Sequence, residues 1–104
     1  MPTPEGRVKN KIRKLLDRYE NNIYYFMPVP MGLGSRTVDF LCCANGRFFS
    51  IEAKAKKGRV TRLQDVVMTR MRDAGAVTFL IVGEDDVEGF GELEEYLEGV
   101  MVQG

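Results

Sequence analysis

Residues 38–54 read VDFLCCANGRFFSIEAK. Two apolar runs rich in aromatic and β-branched residues flank Asn45-Gly46. Asn-Gly between such runs is the strongest short-range signal for a hairpin, because a type I′ turn needs positive φ at both central residues. With Asn45 and Gly46 at the turn, the register follows: Ala44 opposite Arg47, Cys42 opposite Phe49, Phe40 opposite Ile51 and Asp39 opposite Glu52. Directly opposed residues project from one face, with Cβ atoms roughly 5 Å apart. Lys54, two residues beyond Glu52, shares that face.

Opposed carboxylates repel and stabilise a sheet poorly. Two acids and a lysine on one strand surface do suit a divalent cation beside a phosphate. Magnesium takes oxygen ligands and is usually held by one or two carboxylates together with water and phosphate oxygens. Asp39 and Glu52 supply the acids, and the Ala53 carbonyl is a further candidate oxygen. A cation there lowers the pKa of water, and Lys54 can orient that water or balance charge on the phosphate. Taken alone, Asp39 with Glu52-Ala53-Lys54 is a weak motif; the hairpin register strengthens it. The bland alternative is a solvated pair at the strand edge.

The charge layout points to a polyanionic partner. The formal net charge is zero, but residues 1–75 hold all 15 Lys and Arg against 7 acids, a net +8, and residues 76–104 hold 8 acids and no base. A basic body can meet nucleic acid, and Arg7, Lys11, Lys56, Lys57, Arg59 and Arg62 are the candidate phosphate contacts. There is no histidine, which excludes His-based catalysis and His metal ligands. Cys42 and Cys43 are adjacent and would point to opposite faces of a strand, so they are read as small core residues in a reducing, cytoplasmic setting. No apolar run reaches the length of a membrane span, and the N-terminus lacks the apolar core of a signal peptide. A chain of 104 residues suits one domain, 1–104, with one modest core.

Outward from the hairpin, Thr3-Pro4-Glu5 predicts a helix start, and Val8, Ile12, Leu15, Leu16 and Tyr19 form an apolar stripe to about Tyr19. Glu5 falls on that inward stripe, where either the helix dipole or a site beneath it accounts for an acid. Residues 23–29 predict a strand. Residues 27–34, MPVPMGLG, form an apolar loop that two prolines keep out of a central strand. Thr61 and Gln64 have capping-box spacing, and the helix they open runs to about Ala74 before Gly75. Leu63, Val66, Val67, Met71 and Ala74 are its expected buried stripe. Residues 77–82 predict a fully buried strand, and residues 92–98 a short acidic helix. The expected fold is α/β: one mixed sheet between helices, in the order helix, three strands, helix, strand, with a final helix.

These residues resemble a known family. Asp39 with Glu52-Ala53-Lys54 is similar to the motif of the PD-(D/E)XK nuclease superfamily, and residues 34–83 resemble its VRR-Nuc branch, including small stand-alone phage and bacterial members. The resemblance covers residues 5–83. It implies a restriction-endonuclease-like core and a Mg2+- or Mn2+-dependent endonuclease acting on DNA, some members behaving like resolvases of four-way junctions. By resemblance, Asp39 and Glu52 bind metal, Lys54 serves catalysis, and Glu5 and Gln64 complete the site. Glu5 would help to hold a metal. One departure is Val38, where the superfamily often has proline before the acid. Symmetric cutting of a junction needs two centres, so a homodimer is expected, with residues 27–34 contributing. Alternatives are a nuclease for flaps or nicks, and a nucleic-acid-binding module without catalysis.

Overall fold

The structure is a computed structural model and describes residues 2–29 and 37–103. Its elements are α1 (Pro4–Asp17), β1 (Ile23–Phe26), β2 (Phe40–Ala44), β3 (Arg47–Lys54), α2 (Arg62–Asp73), β4 (Val77–Val82) and α3 (Val87–Gln103). The strands form one sheet in the order β1-β2-β3-β4. The first two pairings are antiparallel, and β3 with β4 is parallel. A parallel pair needs a crossover, which α2 provides. Element order and mixed sheet together make an α/β core consistent with the restriction-endonuclease-like type.

The central hairpin forms in the expected register, with Phe40 opposite Ile51, Cys42 opposite Phe49 and Ala44 opposite Arg47. Asn45 and Gly46 have φ of 49° and 80°, as the turn requires. Asn45 also has a second task. Its side-chain amide donates to the Val100 carbonyl at 3.0 Å, satisfying one of the orphan carbonyls at the end of α3.

One face of the sheet holds the core. Phe40, Phe49, Ile51, Phe79 and Ile81 pack there beneath Val8, Ile12, Leu15 and Leu16 of α1 and Phe90, Leu93, Leu97 and Val100 of α3. Phe49, Phe79 and Tyr96 meet edge-on, with centroids 5.3–6.1 Å apart. The acidic C-terminal helix is therefore longer than residues 92–98 and completes this layer. Its first residue, Val87, follows Asp86, whose Oδ1 accepts the Gly89 N–H at 2.9 Å.

Helix α2 covers the β4 side of the other face, and three expectations change around the sheet. The buried residues of α2 are Gln64 and Met68; Val67 and Met71 are half-buried, and Leu63, Val66 and Ala74 are exposed. The buried face is turned from the expected stripe onto Gln64 and Met68, and only Val67 and Met71, at the near edge of that stripe, share it. Strand β4 is likewise not buried throughout: Phe79 and Ile81 face the core, whereas Val77 and Leu80 are exposed, because β4 is an edge strand. Strand β1 ends at Phe26 rather than at residue 29, since Pro28 cannot donate to a ladder. Met27 is half-buried against the core, and residues 30–34 of its loop lie outside the described residues.

The capping box of α2 forms as spaced. The Gln64 N–H donates to Thr61 Oγ1 and the Thr61 N–H donates to Gln64 Oε1, each at 3.1 Å. Thr61→Ala is expected to cost about 1 kcal/mol in urea denaturation. An unchanged midpoint would mean that α2 needs no cap.

Candidate active site

The hairpin ladder stops at Phe40 and Ile51. Immediately beyond, the two acids take over the backbone donors of the opposing strand ends. The Asp39 N–H donates to Glu52 Oε1 at 3.1 Å, and the Ala53 N–H donates to Asp39 Oδ2 at 2.8 Å. Asp39 therefore stands beside Glu52, as the register requires. Lys54 Nζ stands 3.0 Å from Glu52 Oε2, with the lysine side chain 12% and the glutamate 1% exposed. That contact has the distance of an ion pair without hydrogen-bond geometry, so Oε2 is buried with no hydrogen bond among the described residues. Ser50 Oγ, two residues back on the same strand face, is buried and unbonded as well.

Burial first, then the Asp39 carboxylate, push the Glu52 carboxyl up to about 7, against the pull of the Lys54 ammonium. A carboxyl that titrates near neutrality, in a buried cluster at the carboxyl end of a strand paired in parallel, is a functional-site signal.

Sequence reasoning missed Lys9. Its ammonium lies 3.2 Å from Asp39 Oδ1 and 3.6 Å from Glu5 Oε2. Burial lowers its pKa, but Asp39 and Glu5 outweigh this and raise it above the ordinary lysine value. Among the described residues, Glu5 reaches the cluster through Lys9. Among the described residues, no third His, Cys, Asp or Glu joins Asp39 and Glu52 to make a group of three. The helical spacing of Glu5 and Lys9 was readable from the sequence, but the docking of α1 beside Asp39 was not. Gln64 is buried and its Oε1 is occupied by the cap, so only its amide nitrogen is left for any other task.

The donor set suits a hard cation of the Mg2+ or Mn2+ type. Two carboxylates are within the usual number, and Glu52 Oε2, which faces the Lys54 ammonium at 3.0 Å, is the oxygen a cation would share with that lysine. Lys9 and Lys54 supply positive charge to the same pair and would compete with the cation.

The six candidate phosphate contacts divide into two groups. Arg7, Lys11 and Lys56 are held by the turn between β4 and α3. Arg7 Nε donates to Glu84 Oε1 at 2.8 Å, Lys11 Nζ to the Glu84 carbonyl at 2.6 Å, and Lys56 Nζ to Asp85 Oδ2 at 3.2 Å. Lys57, Arg59 and Arg62 are exposed and make no ion pair among the described residues. Among the described residues, no helix is long and apolar enough to cross a membrane.

No protein-family model matches the chain, and no curated protein matches it.

Proposed function

We propose that the chain is a metal-dependent endodeoxyribonuclease that hydrolyses phosphodiester bonds in branched DNA, in keeping with its resemblance to VRR-Nuc proteins. The observation that carries this reading is a buried Glu52 carboxylate set against Asp39, with its Oε2 facing the Lys54 ammonium at 3.0 Å. Asp39 and Glu52 hold the cation, with the Ala53 carbonyl as a further oxygen. The cation supplies Lewis acidity and a water acidified enough to act as nucleophile at neutral pH. Lys54 places positive charge where the attacked phosphate gains negative charge. Glu5 positions Lys9, and Gln64 fixes the start of the helix that covers this face. A two-fold homodimer would present two such centres to a four-way junction and allow paired cuts.

A second reading has its own support. The acids also close the end of the hairpin ladder, and both have lysine partners, which suits a nucleic-acid-binding module without catalysis. Divalent metal separates the two. A cation that binds only the folded state raises the melting temperature by mass action. Millimolar Mg2+ or Mn2+ is expected to raise it by several degrees at pH 8, and EDTA to reverse the rise. No shift in the wild-type chain would remove the metal site.

DNA binding should follow the unpaired cations. Replacing Lys57, Arg59 and Arg62 together by Gln is expected to flatten the salt dependence of affinity by up to about three phosphate contacts, similarly for all sequences. Replacing Lys56 alone should change it less, because Asp85 already competes for its charge. An unchanged slope in the triple variant would place DNA on another surface.

A further inference from the structure

The sheet face that carries Glu52 and Lys54 is only partly covered. Helix α2 packs over its β4 side, while β1 and β2 present an unusual set of exposed side chains. Tyr24 is opposite Cys43, which is opposite Phe48, so these three form one row across the sheet. Phe26 is opposite Leu41, which is opposite Ser50, and this row lies two residues nearer the candidate site. Asp39 and Glu52 come two residues further on the same face. At a strand rise of about 3.4 Å per residue, the rows stand about 7 Å and 14 Å from the acid pair.

Tyr24, Phe26 and Phe48 are 74%, 54% and 44% exposed. An antiparallel sheet with one solvated face normally places polar residues there. Three aromatic rings in their stead, continuous with a polar site, mark a contact surface. Beside them, a cleft of about 420 Å³ is lined by Phe48, Met71 and Arg70, which adds a cation to the aromatic wall.

Flat rings displayed on a sheet at regular spacing suit unpaired bases. Base–aromatic stacking is tolerant of sequence because every base has a π-face, and a duplex keeps those faces inside its own stack. We propose that Tyr24, Phe26 and Phe48 form a stacking track that leads an unpaired DNA strand onto the Asp39–Glu52–Lys54 site. This rests on the nuclease reading for its last step and narrows the substrate class to branched DNA with a single-stranded arm, such as a flap, in place of a fully paired four-way junction.

Binding of a fluorescent oligothymidylate and of a blunt duplex, measured by anisotropy in EDTA, tests the track. The wild-type chain is expected to prefer the single strand at equal salt. Tyr24→Ala and Phe26→Ala should each weaken single-strand binding about tenfold and leave duplex binding unchanged, and Tyr24→Phe should retain it. Cys43 gives a second measurement without substitution. It is the exposed cysteine and lies between Tyr24 and Phe48, whereas Cys42 is buried and its thiol is pushed up to about 12. Bound oligothymidylate should therefore protect Cys43 from maleimide alkylation. If the alanine variants fail to fold, this protection decides the matter.

Normal oligonucleotide binding by folded alanine variants, or unprotected Cys43 at saturation, would overturn the track. A concentration-dependent dimer that buries Cys43 and excludes the oligonucleotide would give the face to a second copy of the chain and overturn it equally. The two readings fail separately. A chain that cuts flapped DNA but binds the strand without these rings loses the track alone. One that binds the strand through them and never cuts loses the nuclease reading alone.

Discussion

Asp39→Asn, Glu52→Gln and Lys54→Ala are each expected to lower metal-dependent cleavage of branched DNA by about a thousandfold or more, with the fold intact. The three act as one unit, and removing one member of such a unit costs nearly the whole effect. Asp39→Asn removes an anionic ligand but keeps an oxygen that can accept the Ala53 N–H. Glu52→Gln keeps an oxygen for the Asp39 N–H in the same way. Both substitutions therefore spare the closure of the hairpin ladder while weakening the hold on a cation. Lys54→Ala leaves both acids in place and removes the charge beside Glu52 Oε2. Cleavage of labelled flaps, junctions and linear duplexes, with far-ultraviolet circular dichroism of each variant, checks all three. Wild-type activity in any variant would take that residue out of the site.

Stability should depend on pH through Glu52. Its carboxyl titrates at about 7 in the folded chain and at about 4.3 when unfolded. The folded state therefore holds the proton more tightly. The stabilisation from that proton is fully present below the unfolded value and is lost as pH rises from about 4.3 through about 7. For a group only 1% exposed, a shift of this size is worth on the order of 3 kcal/mol. In EDTA, Glu52→Gln is expected to lie close to the wild-type chain at pH 4 and to exceed it by about 1–3 kcal/mol at pH 8. Saturating Mg2+ should reduce that gap at pH 8, because the cation binds the ionised carboxylate of the wild-type chain alone. Urea denaturation at the two pH values measures this. Parallel stability profiles for wild type and variant would mean that Glu52 is not the titrating group. A variant whose advantage shrinks between pH 4 and pH 8 would reverse the sign of the argument.

The sequence by itself determined the hairpin, its register and the pairing of Asp39 with Glu52. Those features are local: two positive-φ positions at Asn45-Gly46 set the turn, and a side-chain period of two then places every partner. The caps at Thr3 and Thr61 and the stop at Gly75 were legible for the same reason, since each depends on residues within one helical turn. Tertiary structure decided what the local pattern left open. The face of α2 that meets the sheet is centred on Gln64 and Met68, beside the apolar stripe, so only docking could leave Leu63 and Val66 exposed. Lys9 reaches Asp39 because α1 packs beside the hairpin, a contact 30 residues apart in the chain. The turn at Glu84 and Asp85 holds Arg7 and Lys11 across still longer separations, and Lys56 across a similar one. The exposure of Tyr24, Phe26 and Phe48 follows from where α2 ends its cover of the sheet. An alternating apolar strand reads the same whether its second face is packed or open, because the sequence specifies the period and only the neighbouring helix specifies the covering.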